Sequence, residues 1–321
     1  MTPEDPRDTP RSVGERWFAD ATPFEEDLPR YWGDWGVDSE YGGLKAVLVR
    51  RPGREWEGLT DPVAIRFRDL PDPAKARDQH DQLMAVYAQH GVKVHYVEEM
   101  APDKPNGLFC RDLCVMTPEG AILARPALAV RRGEERYLAR TLGQLGVPII
   151  RTVNGRGTFE GADLMWLDRS TAFLGLGNRS NADGVAQVER ELRAMGCEHV
   201  IQVQIGYGSV HLDGFMNIVD SRTAVCFPWK TPFVVVAALR DRGFRLLEIA
   251  NVHEYQSVMP SNFVALAPGL IVMPAGAPET ARMYRQAGIE VIEADVSELQ
   301  KGWGAMHCMT TFLKREPVGR R

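Results

Sequence analysis

The sequence lacks the features of chains that bind nucleic acid or enter a membrane. Its 38 Lys and Arg residues are outnumbered by 43 Asp and Glu residues, and the net charge of −5 offers no basic excess to attract nucleic acid or anionic lipid. The longest apolar runs, such as Phe233–Leu239, are far shorter than the roughly 20 residues that cross a bilayer. We therefore expect neither nucleic acid nor a membrane among its partners.

Cysteine is also scarce. The chain has 5 cysteines, at positions 110, 114, 197, 226 and 308. An odd and irregularly spaced set fits reduced thiols better than a disulfide framework. The first residues, MTPEDPRDTPR, are acidic and proline-rich without an apolar segment, so we expect no signal peptide. Both observations favour a cytoplasmic protein.

The first 41 residues differ from the rest of the chain. We expect an N-terminal arm over residues 1–41, disordered over Met1–Arg11, followed by a single domain over residues 42–321. Trp17, Trp32 and Trp35 lie among polar residues of this arm. We favour packing of these indoles on the body of the protein over a lid that covers a substrate.

A pattern of strand, strand, helix and strand recurs from residue 43 onward. Units start near residues 113, 163, 215 and 262, which are 50, 52 and 47 residues apart. A fixed period near 50 indicates one supersecondary unit used several times. Strand–helix–strand material at Leu44–Val97 and a strand after Cys308 supply a fifth unit.

A kelch or WD40 propeller has a similar period, but its blades contain four strands and no helix. Each unit here contains a helical pattern. We therefore predict an α/β fold in which five ββαβ-type units form one closed pseudo-fivefold ring, since closure buries the inner edges.

Polar residues collect at the junctions between units. The four junction stretches are PNGLFCRD with Asn106 and Asp112, GTFEGAD with Glu160 and Asp163, GSVHLDG with His211 and Asp213, and WGAMHCMT with His307 and Cys308. Repeat symmetry places equivalent positions near one another. We expect Asp112, Glu160, His211 and Cys308 to meet near the axis of the ring.

This combination of side chains indicates a particular chemistry. A thiolate is a strong nucleophile, an imidazole can move a proton, and a carboxylate beside the imidazole orients it. Further carboxylates make the pocket negative, which disfavours a thiolate unless the substrate brings a cation. A planar guanidinium fits, because it pairs bidentately with carboxylates.

The motifs FCRD, FEGAD, HLDG, GLGNRSN and HCMT together resemble the guanidine-modifying enzyme superfamily, which has the pentein fold. This superfamily contains arginine deiminases, dimethylarginine hydrolases and amidinotransferases. The resemblance runs from about Leu44 to the C-terminus. It implies that Cys308 is the nucleophile, that His211 is the general acid and base, and that Glu160 pairs with the histidine.

The resemblance also implies substrate-binding residues. Asp112 and Asp213 match carboxylates that hold the guanidinium, Arg131 and Arg179 match arginines that hold the substrate's α-carboxylate, Asn106 is a weaker match to a substrate-contacting asparagine, and Asp163 is expected to have a structural or substrate-contact role.

The chain departs from each branch of this superfamily. Arginine deiminases carry HLD and HCMT, but they usually contain a helical insertion for which this chain is too short. Dimethylarginine hydrolases match its length and its RRGEE and VMPAGAPET segments, but they usually have HLK where this chain has His211-Leu212-Asp213. Amidinotransferases share an H-x-D motif and a cysteine near the end.

We therefore expect a hydrolase that acts on the guanidino group of arginine or a close relative through a covalent amidino intermediate on Cys308. An amidinotransferase that uses an amine instead of water is the alternative, and a non-catalytic pentein-fold binding protein is the alternative from another class. This covalent mechanism needs neither a metal nor an organic cofactor. The C-x₃-C pattern of Cys110 and Cys114 is a weak indication of zinc, because it has no second cysteine pair. A homo-oligomer is left open.

Overall fold

A computed structural model describes residues 21–319 of the chain. The predicted disordered stretch Met1–Arg11 and Trp17 lie outside the described residues. The strands are β1 (Leu44–Val49), β2 (Lys93–Tyr96), β3 (Cys114–Thr117), β4 (Gly120–Leu123), β5 (Ile149–Thr152), β6 (Leu164–Asp168), β7 (Thr171–Leu176), β8 (His199–Gln204), β9 (Met216–Asp220), β10 (Thr223–Cys226), β11 (Arg245–Glu248), β12 (Val264–Ala267), β13 (Leu270–Pro274), β14 (Glu290–Ala294) and β15 (Thr311–Arg315).

The helices alternate with these strands. They are α1 (Phe24–Tyr31), α2 (Pro73–Gln89), α3 (Cys110–Leu113), α4 (Glu135–Leu145), α5 (Ala182–Ala194), α6 (Phe233–Asp241), α7 (Val252–Val258), α8 (Pro278–Gln286) and α9 (Met306–Met309), with 3-10 turns at Arg54–Trp56, Pro105–Leu108, Gly161–Asp163, Leu212–Gly214 and Leu299–Gly302. Within the described part of the chain, every helix is too short or too polar to cross a bilayer.

The strands form five three-stranded sheets of one design. Four follow chain order as β3-β4-β5, β6-β7-β8, β9-β10-β11 and β12-β13-β14, and the fifth has the order β15-β1-β2. In each sheet the first strand is antiparallel to the second, and the second is parallel to the third. The predicted strand–strand–helix–strand unit is therefore confirmed, and the last strand of the chain completes the sheet of the first.

Sequence features explain why these elements form where they do. The middle strands β4, β10 and β13 are buried along most of their length, in agreement with their continuous apolar sequences. Helix α2 begins after Asp72, whose carboxylate accepts from two backbone amides, with Pro73 in the first turn. Helix α5 begins after Asn181, whose side chain accepts from the Gly184 amide.

Hydrogen bonds link the first strands of neighbouring sheets. Trp166 Nε1 donates to the Met116 carbonyl oxygen at 3.0 Å and joins β6 to β3. Asn217 Nδ2 of β9 donates to the Phe263 carbonyl oxygen at 2.8 Å, beside β12. Arg315 Nη1 donates to the Ala265 carbonyl oxygen at 2.8 Å and joins β15 to β12. The turns that precede these strands are consequently close to one another.

The end of the predicted N-terminal arm is packed into the body of the protein. Gly36 forms a bridge with Lys314 of β15, and the Glu40 amide donates to the Trp166 carbonyl oxygen at 3.1 Å. Trp35 packs against the core, whereas Trp32 remains 47% exposed. Residues 36–41 thus reach the interior, and Glu40 becomes important to the site described next.

Candidate active site

Short turns before the first strand of each sheet carry the polar residues. Asp112 lies in α3 before β3, Glu160 precedes the 3-10 turn before β6, and Asp213 lies in the turn before β9. Asn262 stands just before β12, and Cys308 lies in α9 before β15. The five sheets therefore each contribute a polar side chain from an equivalent position, and all of these side chains are buried.

The sulfur of Cys308 lies between a hydrogen-bond donor and a carboxylate. Asn262 Nδ2 is 3.1 Å from Sγ, and Asp213 Oδ2, from the turn before β9, is 3.4 Å from Sγ. Burial raises the pKa of the Cys308 thiol well above its ordinary value, and the charges of Asp213 and Asp112 raise it further. The thiol is therefore protonated at neutral pH in this state and donates to Asp213.

His211 is surrounded by carboxylates. Its Nε2 is 2.7 Å from Glu160 Oε2, and its Nδ1 is 3.6 Å from Asp112 Oδ1. Burial lowers the pKa of His211, but the carboxylates of Asp112, Asp163 and Glu160 outweigh burial and raise this pKa to about 9. Burial raises the pKa of Glu160, but its bond to His211 prevails and the net shift is downward. The pair is an imidazolium and a carboxylate at neutral pH.

A second buried histidine supports Asp213. His307 Nδ1 is 2.9 Å from Asp213 Oδ2, and His307 Nε2 is 3.1 Å from Glu40 Oε2. Arg111 Nη2 donates to the other oxygen of Glu40 at 2.8 Å. Burial lowers the pKa of His307, but its bonds to Asp213 and Glu40 raise it overall. Burial raises the pKa of Asp213, but the neighbouring His307 lowers it overall, so Asp213 stays ionised beside the sulfur.

The two predicted arginines lie at the site and contact its carboxylates. Arg131 bonds Asp112 through Nη1, donates to Glu134 through Nε at 2.9 Å, and donates to the carbonyl oxygens of Asn106 and Phe109 through Nη2. Each guanidinium nitrogen of Arg131 therefore already has an acceptor, so Arg131 fixes Asp112 in this state. The binding of a substrate carboxylate by Arg131 stays a prediction.

Arg179 is the more accessible arginine. Its Nη1 donates to Glu160 Oε2 at 2.9 Å, and its side chain is 16% exposed. It therefore reaches from the rim of the site to the carboxylate that holds His211.

Asp163 and Asn106 lie at the site with structural partners. Asp163 accepts from Ser180 Oγ at 2.5 Å, and Ser180 Oγ accepts from the Glu160 amide at 3.1 Å. Burial raises the pKa of Asp163 to about 7. Asn106 Nδ2 donates to the Ile65 carbonyl oxygen at 2.7 Å and so holds the segment between the Arg54–Trp56 turn and α2. Substrate contact by either residue stays a prediction.

A glycine allows these turns to approach one another. A Cβ atom at Gly161 would collide with the carbonyl oxygens of Arg111 and Cys114. The turn after Glu160 can therefore pack against α3 only when residue 161 has no side chain. This contact brings Glu160 toward Asp112 and His211.

The carboxylates and the imidazole also offer atoms that a metal could bind. Ligand atoms of Asp112, Glu160 and His211 all lie within 4.8 Å of one another. Arg131 and Arg179 already bond two of these carboxylates, and their positive charges compete with a cation. We draw no metal chemistry from this group.

Sequence reasoning missed two members of the site. Asn262 occupies the junction of the fourth unit, so the repeat period could have identified it. An uncharged amide does not by itself indicate a catalytic or binding role in a sequence. Glu40 belongs to the predicted arm and is 267 positions from His307, so no sequence pattern connects the two.

The fold and the site together define a class of protein. Five sheets of one design, with a thiol, an imidazole and several carboxylates at their junctions, are what the resemblance to the guanidine-modifying enzymes predicted. A family model described as "N,N dimethylarginine dimethylhydrolase, eukaryotic" matches residues 71–315. The chain belongs to this family, within the guanidine-modifying superfamily.

Curated relatives agree with this assignment. The chain is 28% identical over 271 residues to an N(G),N(G)-dimethylarginine dimethylaminohydrolase from Streptomyces coelicolor. The alignment covers 84% of this chain and 97% of the relative. It is 26% identical to a protein of the same name from Pseudomonas aeruginosa, with 83% and 98% of the two chains covered. It is 21% identical to an arginine deiminase from Latilactobacillus sakei, with 88% and 98% covered.

Solved structures are similar along most of the chain. A dimethylarginine dimethylaminohydrolase from Pseudomonas aeruginosa, complexed with citrulline, has a TM-score of 0.70 and 25% identity, and it covers 84% of this chain and 99% of its own. An amidinotransferase from Microseira wollei has a TM-score of 0.72 at 15% identity and covers 89% and 99%, which shows a shared fold alone.

Proposed function

We propose that this chain hydrolyses the guanidino group of arginine or of a close relative through a covalent intermediate on Cys308. The observation that carries the proposal is the position of the sulfur, 3.4 Å from the ionised carboxylate of Asp213, in a buried group that also contains His211, Glu160 and Asp112. The names of the relatives, dimethylaminohydrolase and arginine deiminase, support the same reaction class.

The first step is capture of the guanidinium. Asp213 and Asp112 would accept its N–H groups, and Asp112 Oδ1 is a buried oxygen without a hydrogen-bond partner among the described residues. The cation then neutralises the carboxylates that raise the thiol pKa, so substrate binding favours loss of the Cys308 proton to solvent. The nucleophile is therefore activated mainly when a cationic substrate is present.

The second step forms the S–C bond and breaks a C–N bond. Cys308 Sγ attacks the guanidino carbon, and the imidazolium of His211 gives its proton to the departing amine. His211 is then neutral and accepts a proton from water, whose oxygen attacks the same carbon. Collapse of this adduct returns the thiolate and a ureido product. Glu160 holds the imidazole throughout.

Within this class, the carboxylates favour a guanidinium with unmethylated nitrogens. Asp213 stands where dimethylarginine hydrolases usually have lysine, and a second carboxylate requires N–H donors that a dimethylated nitrogen lacks. We therefore expect arginine to have a higher kcat/KM than asymmetric dimethylarginine.

The arrangement of the sheets supports a closed ring of five units as the frame of this site. β15 pairs with β1, and β6–β3, β9–β12 and β12–β15 are joined by side-chain bonds to backbone carbonyls. A ring would explain why residues from five separate turns converge.

The test is an incubation of the purified chain with arginine, mono- and dimethylated arginines, agmatine and guanidino acids, each with and without glycine or lysine. We expect a ureido product and ammonia or a methylamine, formed at the same rate when an amine is added. We expect Cys308→Ala to lose turnover by at least about 10³-fold with an unchanged melting temperature.

The other outcomes distinguish the alternatives. A new guanidino compound together with ornithine would identify an amidinotransferase. Normal product release by Cys308→Ala would remove the covalent mechanism. If no guanidine is consumed and substrates do not protect Cys308 from alkylation, the chain is a binding protein and not an enzyme.

A further inference from the structure

Asn262 has a fixed orientation that leaves its amide nitrogen facing the nucleophile. Its Oδ1 accepts from the backbone amides of Ala305, His307 and Cys308, at 3.2, 3.1 and 3.2 Å. These three donors require an oxygen at this position, so the Nδ2 group must occupy the other side of the amide. There it is 3.1 Å from Cys308 Sγ and 3.2 Å from the Asp213 carbonyl oxygen.

We propose that Asn262 is a further catalytic residue, which donates a hydrogen bond to the Cys308 sulfur when it is a thiolate. The catalytic part of this inference rests on the function proposed above. Asn262 forms and breaks no covalent bond. It contacts the sulfur before the S–C bond forms and again when that bond breaks and the thiolate departs.

The charges around the sulfur explain why a neutral donor is suited to this place. Asp213 and Asp112 oppose a negative sulfur, and burial removes the water that would otherwise solvate it. A lysine or arginine beside the sulfur would stabilise the thiolate but would repel the guanidinium substrate. An amide N–H stabilises the thiolate without placing a positive charge in the substrate's site.

The backbone contacts give Asn262 a second effect through the same side chain. By holding the amides of residues 305, 307 and 308, the Oδ1 atom fixes the start of α9, on which the sulfur is carried. The nucleophile and its donor are therefore aligned by one residue from a neighbouring sheet.

Two substitutions separate the donor from the backbone support. Asn262→Asp keeps an Oδ1 that accepts from the three amides but replaces the N–H group by an oxygen. Asn262→Ala removes both. The matched control is Asn217→Ala, because Asn217 Nδ2 donates to the carbonyl oxygens of Ser261 and Phe263, which flank Asn262, and has no bond to the sulfur.

The readout is the thiol pKa of Cys308 in the substrate-free protein, measured from the pH dependence of iodoacetamide alkylation at the peptide that contains residue 308. We expect Asn262→Ala to raise this pKa by about one to two units, since a hydrogen bond to a charged group has about that effect. We expect Asn262→Asp to raise it further, because this variant both removes the donor and adds a negative charge beside the sulfur. We also expect both to lower kcat/KM by about 10- to 100-fold, and Asn217→Ala to leave the thiol pKa unchanged.

A wild-type thiol pKa in folded Asn262→Asp would overturn the proposal, as would an equal shift in Asn217→Ala. Asn262→Asp provides the test even where Asn262→Ala does not fold. Alkylation needs no substrate, so a protein that turns over no guanidine but shows the thiol shift in Asn262→Ala and none in Asn217→Ala would disprove the proposed function and leave the hydrogen bond to the thiolate established.

Discussion

Asp213 has two opposed effects on the site. Its carboxylate is expected to hold the guanidinium, yet it lies 3.4 Å from the sulfur and helps to keep the thiol protonated. These effects are compatible only if the substrate's positive charge lies between Asp213 and the sulfur when the thiolate forms. The reactivity of Cys308 should therefore be low in the free protein and rise on substrate binding.

Asp213→Asn should change thiol reactivity and substrate binding in opposite senses. Loss of the negative charge should lower the thiol pKa by about one to two units and speed alkylation at pH 7, whereas loss of a guanidinium partner should raise KM by about 10-fold or more. Alkylation rates and steady-state kinetics on one protein batch measure both. The control is Asp168→Asn, a buried carboxylate that bonds Ser170. Slower alkylation of Asp213→Asn would contradict the argument.

Glu40 affects the site through His307. Glu40→Gln should weaken the hydrogen bond between His307 and Asp213 and raise KM by about 10-fold, because His307 and the buried Arg111 guanidinium lose their common carboxylate partner. Steady-state kinetics and thermal unfolding measure the two effects separately. The control is Glu55→Gln, which breaks the buried Arg50–Glu55 pair elsewhere and should lower stability with an unchanged KM. Equal KM values in the two variants would show that Glu40 is merely structural.

The residues that could be predicted from the sequence are those with distinctive chemistry at repeated positions. Cys308, His211 and Glu160 stand in recognisable motifs, and the structure brings them together with Asp112 and Asp213. The partners of Arg131 could not be predicted, because a guanidinium that binds a substrate carboxylate and one that fixes Asp112 look alike in sequence. Asn262 and Glu40 were missed because their importance depends on distances between remote segments.

At the scale of elements, hydrophobic periodicity was sufficient for the long helices and the buried strands. The apolar pattern predicts a helix over Asp183–Met195 and a buried strand over Leu44–Val49, and these agree with α5 and β1 within one residue or two. Helices α1 and α7 were not predicted, because they are short and have few buried residues to impose a period. The four-residue helices α3 and α9 were also missed, since four residues cannot show a helical repeat.

Two glycine-to-alanine substitutions should have opposite effects on stability. At Gly161 the new Cβ would meet backbone carbonyls of α3 and β3, so Gly161→Ala should destabilise the protein by about 2–3 kcal/mol and displace Glu160. At Gly143, inside α4, a Cβ would meet nothing within 4 Å, so Gly143→Ala should stabilise the protein by about 0.5–1 kcal/mol. Denaturant unfolding checks both signs. A stable, fully active Gly161→Ala variant would refute the close-packing argument.

At the scale of the whole molecule, the two ends of the described chain pack together in one sheet. β15 pairs with β1, and residues 36–41 pack beside both. The sulfur on α9 and Glu40 near the N-terminus are thus held by the same sheet. We therefore expect unfolding of this sheet to disrupt the site, so that activity is lost when the sheet unfolds.

The buried charges also make global stability depend on pH. The pKa values of Glu40 and Glu160 are lowered from 4.5 to about 2 in the folded protein, so their ionised forms stabilise the fold above pH 4.5. This stability is lost as the pH falls toward 2, and the free energy of unfolding should therefore rise from pH 2 to about 4.5. Burial raises the pKa values of Asp163 and Glu134 to about 7, which makes stability fall between about pH 4 and pH 7. Maximum stability is expected between about pH 4 and pH 4.5, where the rise ends and the fall begins.

Above pH 7, the decrease in the free energy of unfolding should come mainly from His211. Its raised pKa of about 9 stabilises the folded state fully below pH 6.5, and this contribution, of the order of 3 kcal/mol, should be lost as the pH rises through 9. His211→Gln, which can still donate to Glu160, should reduce the decrease in unfolding free energy between pH 7 and pH 9. Denaturant unfolding of both proteins at pH 5, 7 and 9 measures the change in unfolding free energy. An unchanged pH profile in His211→Gln would mean that the imidazolium does not hold these carboxylates together.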